Sequence, residues 1–152
     1  MKTVADPGVT ASLVARLRRL RPDSPRRWGT LTPQEMLCHL GDTSEGVLGE
    51  RPKPLRGPLR DRPLLKLAGL WFPFPWRGRS AGAWNDPHRE GTRPSDFERD
   101  RERAIRGVES IARSPEHAEL APGHGIFGAM SSRDWKRYTY RHTHYHLRQF
   151  GL

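Results

Sequence analysis

Apolar residues recur every three or four positions in several stretches of the chain, which is the pattern of helices that bury one face. The first stretch predicts a helix over residues 9–20, with arginines on its outer side and Pro22 and Pro25 at its end. Its apolar face is formed by Val9, Leu13, Val14, Leu17 and Leu20.

The second helix has a clear start signal at Thr32-Pro33-Gln34-Glu35. Thr32 can cap the first turn, Pro33 suits the first helical position, and Glu35 can return a hydrogen bond to the cap. The apolar face that follows consists of Met36, Leu37, Leu40 and, as a further candidate, Val47. His39 is predicted to lie at the edge of this face rather than opposite it.

A third helix is predicted to begin at the capping box formed by Ser95 and Glu98. Its buried stripe consists of Phe97, Ala104, Ile105, Val108 and Ile111, and Arg and Glu alternate on the other side. Between the second and third helices, residues 49–94 are rich in Pro, Gly and Arg and are predicted to be a long irregular insertion. A connection of this length usually has a function or covers the core.

Two features stand out within the insertion. Residues 64–70 are predicted to form a short helix. An aromatic cluster follows, and it is apolar enough that we expect it to pack against the helices. Its members are Trp71, Phe72, Phe74 and Trp76.

The C-terminal segment holds His142, His144 and His146, three of the seven histidines, within five residues. A strand is one reading, because Tyr and His occupy alternate positions from 138 to 146, which would put all three histidines on one face. A helix is favoured, because Ser131 or Ser132 can cap it, Asp134 suits its first turn, and no Gly or Pro interrupts it. In that case His142 and His146 share a face and His144 points away.

Length and charge limit the class of protein. The 152 residues suit one domain, and we assign residues 1–152 to it. With 27 Lys and Arg against 17 Asp and Glu, the net charge is +10, which favours anionic partners. No nucleic-acid motif or glycine-rich phosphate loop accompanies that charge, so nucleic acid is not the expected partner.

Cys38 is the sole cysteine, which excludes an intrachain disulfide and favours a buried, inert thiol. The chain begins without the apolar run of a signal peptide. Its most apolar stretch, residues 64–76, is too short to cross a bilayer and is interrupted by Lys66 and Pro73. A cytoplasmic protein without a membrane partner is therefore expected.

Two motifs together resemble the DinB-like family, whose functions are mostly unassigned. The first is Trp28-Gly-Thr-Leu-Thr-Pro-Gln-Glu-Met-Leu-Cys-His39-Leu, and the second is Phe127-Gly…Trp135…His142…His146-Leu-Arg-Gln149-Phe150-Gly. The resemblance implies a mostly α fold, a four-helix bundle, with the long insertion between helices 2 and 3. It also implies a divalent metal held by His39, His142 and His146.

Five further residues are candidates for the surroundings of that centre. Glu35 and Asp42 flank His39 by one turn each, and either could orient a ligand as a second-shell carboxylate. His124 lies in a glycine-rich turn before the last helix and could reach the site. Trp135 and Tyr138 are candidates for the pocket wall. Relatives commonly have Asp and His where this chain has His144 and Tyr145, so the hydrogen bonding around the ligands is expected to differ.

Three functions follow from these features. The first, which the resemblance implies, is a metal-dependent enzyme in which Zn²⁺, Ni²⁺ or Fe²⁺ activates a low-molecular-weight thiol or water for transfer or hydrolysis of a small, anionic substrate. The second is a non-catalytic metal-binding or stress-associated bundle protein, and the third is a basic binder of nucleic acid or anionic surfaces. A homodimer is compatible with each.

Overall fold

Helices form most of the described structure. The computed structural model describes residues 1–51, 62–72, 76, 85–116 and 118–152. The α-helices in these ranges are α1 (Pro7–Arg19), α2 (Pro33–Leu48), α3 (Pro63–Lys66), α4 (Phe97–Arg113) and α5 (Ser132–Arg148). A π-helical turn, Leu67–Trp71, continues α3, and β1 (Gly123–His124) pairs antiparallel with β2 (Gly128–Ala129). The prediction of a mostly α protein is confirmed.

Local capping explains where the long helices begin. Thr32 and Glu35 form the predicted capping box of α2, and Ser131, rather than Ser132, forms one with Asp134 at the start of α5. The prediction for α4 was wrong by one residue. Asp96 is its cap, because the Asp96 carboxylate accepts the backbone N–H of Arg99 at 2.8 Å.

The core lies between the four long helices. The most extensive contact joins α2 to α4, and α1 and α5 close the remaining sides. Gly107 makes the α2–α4 approach possible, since a Cβ added there would lie 2.4 Å from Cβ of Ser44. The largest fully buried side chains include Leu13, Leu17, Met36, Ile105, Trp135 and Leu147.

The insertion is described in part. The predicted short helix is present as α3 and the π-helical turn. Trp76 packs against Tyr138 with ring centroids 5.7 Å apart, as expected of the aromatic cluster, but Phe72 remains 48% exposed, so its predicted packing was wrong. Phe74 lies outside the described residues. No helix in the described ranges has the length and apolarity needed to cross a bilayer.

Candidate metal centre

Three histidines from two helices meet in the core. The α5 helix places His142 and His146 one turn apart on its inner face, and α2 presents His39 opposite them. The Nε2 atom of His142 lies 3.1 Å from Nε2 of His39 and 3.1 Å from Nε2 of His146. One ligand atom from each residue lies within 4.8 Å of the others, close enough to hold a metal ion. The strand alternative for this segment is excluded.

Burial favours the neutral form of His39 and His146. The exposed fractions are 3% for His39 and 8% for both His142 and His146. Burial lowers the pKa of His39, and burial together with the neighbouring His39 imidazole lowers the pKa of His146 to about 3. Neutral imidazole is the form that binds a metal, so proton competition at neutral pH is weak.

Hydrogen bonds on the far side of two rings fix their tautomers. Nδ1 of His39 lies 2.7 Å from the backbone carbonyl oxygen of Asn85. Nδ1 of His146 lies 2.8 Å from the side-chain oxygen of Gln149. Because both oxygens are acceptors, both Nδ1 atoms carry the proton and donate it. The Nε2 lone pairs of His39 and His146 are therefore left pointing toward His142.

This arrangement suits a divalent cation. A proton on Nε2 of His142 could satisfy only one of the two lone pairs that face it, whereas a cation satisfies all three nitrogens. Nitrogen ligands at about 2.0–2.1 Å from a tetrahedral zinc ion lie roughly 3.3–3.4 Å apart. The 3.1 Å separations are close to that spacing. The donor set therefore fits the metal, with two of the three nitrogen separations near that spacing and all three within 4.8 Å.

Asn85 was missed by the sequence reasoning. Its side-chain N–H donates to the Thr43 hydroxyl at 2.9 Å, and that hydroxyl donates to the backbone carbonyl of His39 at 2.8 Å. Through Asn85, the insertion therefore contacts α2 at His39, one of the three candidate ligands. The signal at Asn85-Asp86-Pro87 indicates a turn and carries no information about which histidine the turn would meet.

The two candidate carboxylates have other partners. Asp42 is fully buried and accepts hydrogen bonds from Arg51, Thr92 and Arg103 at 2.6 to 2.7 Å. It therefore ties both ends of the insertion, and α4, to α2. Glu35 closes the capping box, and its other oxygen lies 3.3 Å from Nε2 of His88. Asp42 acts on the centre through its charge, which raises the pKa of His39 against the effect of burial.

An aromatic wall borders the centre. Tyr138 stacks on His142 with centroids 5.1 Å apart, and Trp76 lies 6.3 Å from the same histidine. Burial raises the pKa of Tyr138 well above its usual value, so the phenol stays protonated. His124 lies outside the three-histidine cluster, with its ring centroid 4.9 Å from that of Tyr138. Trp135 is fully buried in the core and donates to the carbonyl of Ala121 at 2.7 Å.

His144 points away from the cluster, as predicted. Its Nδ1 accepts a hydrogen bond from Arg16 at 3.0 Å, and its ring stacks on Tyr140. Burial and the charge of Arg16 lower its pKa to about 4.

Cys38 precedes His39 in the sequence, and its thiol is buried and unreactive. Burial and the neighbouring carboxylate of Asp100 raise its pKa to about 12, so the thiol stays protonated.

No family model, curated protein or solved structure matches this chain. Its function therefore has to be inferred from the geometry of the site.

Proposed function

We propose that this chain is a metal-dependent enzyme built as a DinB-like four-helix bundle, in which His39, His142 and His146 hold one divalent ion. The observation that carries the proposal is the convergence of three Nε2 atoms, two of them with the proton held on Nδ1. The bundle would consist of α1, α2, α4 and α5, which pack pairwise, with the insertion joining α2 to α4. Zn²⁺, Ni²⁺ and Fe²⁺ are all suited to imidazole ligands.

Three protein ligands favour catalysis over a purely structural role, because structural zinc sites are usually closed by four. The ion would supply Lewis acidity toward a small thiol or water. The chain's own residues would orient the histidine ligands and shield the site from water. Asn85 and Gln149 hold the Nδ1 protons of their histidines, while Tyr138 and Trp76 exclude water from the side of His142. The net charge of +10 would favour an anionic substrate.

A thiol-transfer assay tests the catalytic part of the proposal. Metal-loaded and metal-free protein are compared for conjugation of glutathione, bacillithiol or mycothiol to an electrophile. We expect a rate that depends on metal, is lost in His142→Ala and is kept in His144→Ala. Full metal loading without a metal-dependent rate for any thiol, and without hydrolysis of a panel of anionic esters, would contradict an enzyme of this type.

A non-catalytic metal protein is the second candidate, and the burial of the cluster favours it. Each ligand is at most 8% exposed, and the centre joins α2 to α5 across the core. Under this alternative the metal raises the melting temperature but supports no turnover. Nucleic-acid binding rests on net charge alone and is the weakest of the three proposals.

A further inference from the structure

Exposed apolar side chains are concentrated on α3 and the turn that follows it. Seven large apolar side chains are exposed in the described ranges, and four of them lie on this segment or next to it in the chain. These four are Leu64, Leu65, Leu67 and Phe72, and we call them the α3 patch; the other three are Met1, Trp28 and Ile126. Exposed apolar groups that cluster in this way usually mark an interaction surface.

The short helix and its π-helical continuation leave their leucines exposed. Leu64, Leu65, Leu67 and Ala68 are all exposed, Leu64 to 81%, while Leu70 is fully buried. The segment is therefore anchored to the core and presents a separate apolar face outward.

Described contacts bring two distant segments close to the patch. Arg137 donates to the backbone carbonyls of Leu70 and Lys2, which brings the N-terminal segment beside the turn. Gly69 packs on Phe127 so closely that an added Cβ would lie 2.5 Å from that ring. The patch is thus held in place by contacts with distant parts of the sequence.

Basic side chains lie next to the patch among the described residues. Lys2 and Arg62 are exposed at its edge, Arg133 lies 4.8 Å from the ring centroid of Trp71, and Arg141 donates to the carbonyl of Phe72. The carboxylate that the described contacts place here, Asp134, is buried and is already held by Ser131, Lys66 and Trp71. The described edge of the patch is therefore apolar within and positive around.

We propose that the α3 patch is a docking surface for an anionic lipid bilayer. Leucine and aromatic side chains that insert between headgroups, next to Lys and Arg that pair with anionic lipids, are the features of interfacial membrane binding. The expectation of no membrane partner rested on the shortness of this apolar stretch, which bears on crossing a bilayer and not on docking to its surface. The leucines of α3 and Phe72 are exposed. The proposal stands independently of the metal chemistry.

A second copy of the chain suits the patch less well. In a twofold-symmetric dimer the patch would face itself, so each basic edge would meet the same basic edge. Like charges brought together in this way oppose association, whereas an anionic bilayer complements both parts of the surface. An acidic protein would also complement the basic edge of the patch, and the experiment below distinguishes such a partner from a bilayer.

Vesicle co-sedimentation tests the proposal. The full chain is mixed with vesicles of phosphatidylcholine alone or of phosphatidylcholine with phosphatidylglycerol, and bound protein is measured across a salt series. We expect binding to the anionic vesicles only, with part of it surviving high salt. The triple variant Leu64→Asn, Leu67→Asn, Phe72→Asn leaves the net charge unchanged and should bind at least about tenfold more weakly. Trp28→Asn, at an exposed apolar residue outside the patch, should bind like the native chain.

Several results would overturn the proposal. Equal binding by the native chain and the triple variant would mean that net charge alone drives adsorption. No vesicle binding, together with a concentration-dependent dimer that the triple variant abolishes, would assign the patch to self-association. Tight binding to polyglutamate without binding to vesicles would assign it to an acidic protein. Unchanged circular dichroism and metal content of the triple variant establish that the fold is intact.

Discussion

At the scale of single residues, the centre depends on hydrogen bonds to the rings as much as on the ligands themselves. An imidazole binds a metal through one nitrogen only when its proton is kept on the other. The carbonyl of Asn85 does this for His39, and the side chain of Gln149 does it for His146. Both acceptors are uncharged, so the rings are oriented without an additional charge in the core.

Gln149 offers a direct test, because its side chain supplies the acceptor. Gln149→Leu should lower metal affinity by about 10- to 100-fold, since the His146 ring loses its orientation and its preferred tautomer. Gln149→Glu retains an acceptor and should bind metal with an affinity near or above that of the native chain. A competition titration against a chromophoric chelator measures both. Equal affinity in the native chain and Gln149→Leu would show that the hydrogen bond is irrelevant to binding.

The buried histidines also predict how stability depends on pH. His146 has its pKa lowered to about 3 and His144 to about 4, whereas both titrate near 6.5 in an unfolded chain. Below about pH 6.5 the unfolded state takes up protons that the folded state excludes, so the free energy of unfolding falls as pH falls. Metal-free protein should therefore be less stable to denaturant at about pH 5 than at about pH 7.

The matched control removes the titrating groups. In the double variant His144→Gln, His146→Gln the difference in unfolding free energy between the two pH values should shrink. Most carboxylates titrate below this window, so they contribute little to the comparison. A native chain that is equally stable or more stable at the lower pH would contradict the assignment of neutral, buried imidazoles.

At the scale of elements, the site is held by helices that pack closely and by an insertion attached at its ends. Asp42 ties Arg51 and Thr92 to α2, and Asn85 meets His39 between those two attachments along the chain. The position of Asn85 and the orientation of His39 are consequently linked. The helix starts at Thr32 and Ser131 could be predicted because capping is local, whereas Asn85 could not, because its partner is 46 positions away.

The closeness of α2 and α4 gives an element-scale prediction. Gly107→Ala should destabilise the fold by about 1–3 kcal/mol, because the new methyl group would overlap Ser44 and push the helices apart. Gly125→Ala is the matched control, since an added Cβ there meets nothing within 4 Å. Denaturant unfolding of both variants measures the difference in their free energies of unfolding. A Gly107→Ala variant as stable as the control would mean that the α2–α4 contact is looser than the structure indicates.

At the scale of the whole molecule, the sequence predicts the pair of ligands that share a helix better than the third. The spacing of His142 and His146 places both on one face of α5 from local evidence. His39 lies 103 positions from His142, and only the resemblance to a family of bundles brought them together before the structure was known. Neither the outward face of α3 nor the burial of Asp42 could be predicted, because each depends on which distant segments pack beside it.

The central claim is that the three histidines form one metal site, and metal content tests it most directly. Protein purified without a polyhistidine tag and loaded with Zn²⁺ should hold about one ion per chain after removal of the excess, measured by elemental analysis. His39→Ala, His142→Ala and His146→Ala should each lose most of that ion, while His144→Ala should retain it. A native chain that holds no metal, or a His144→Ala variant that loses as much as the other three, would contradict the account.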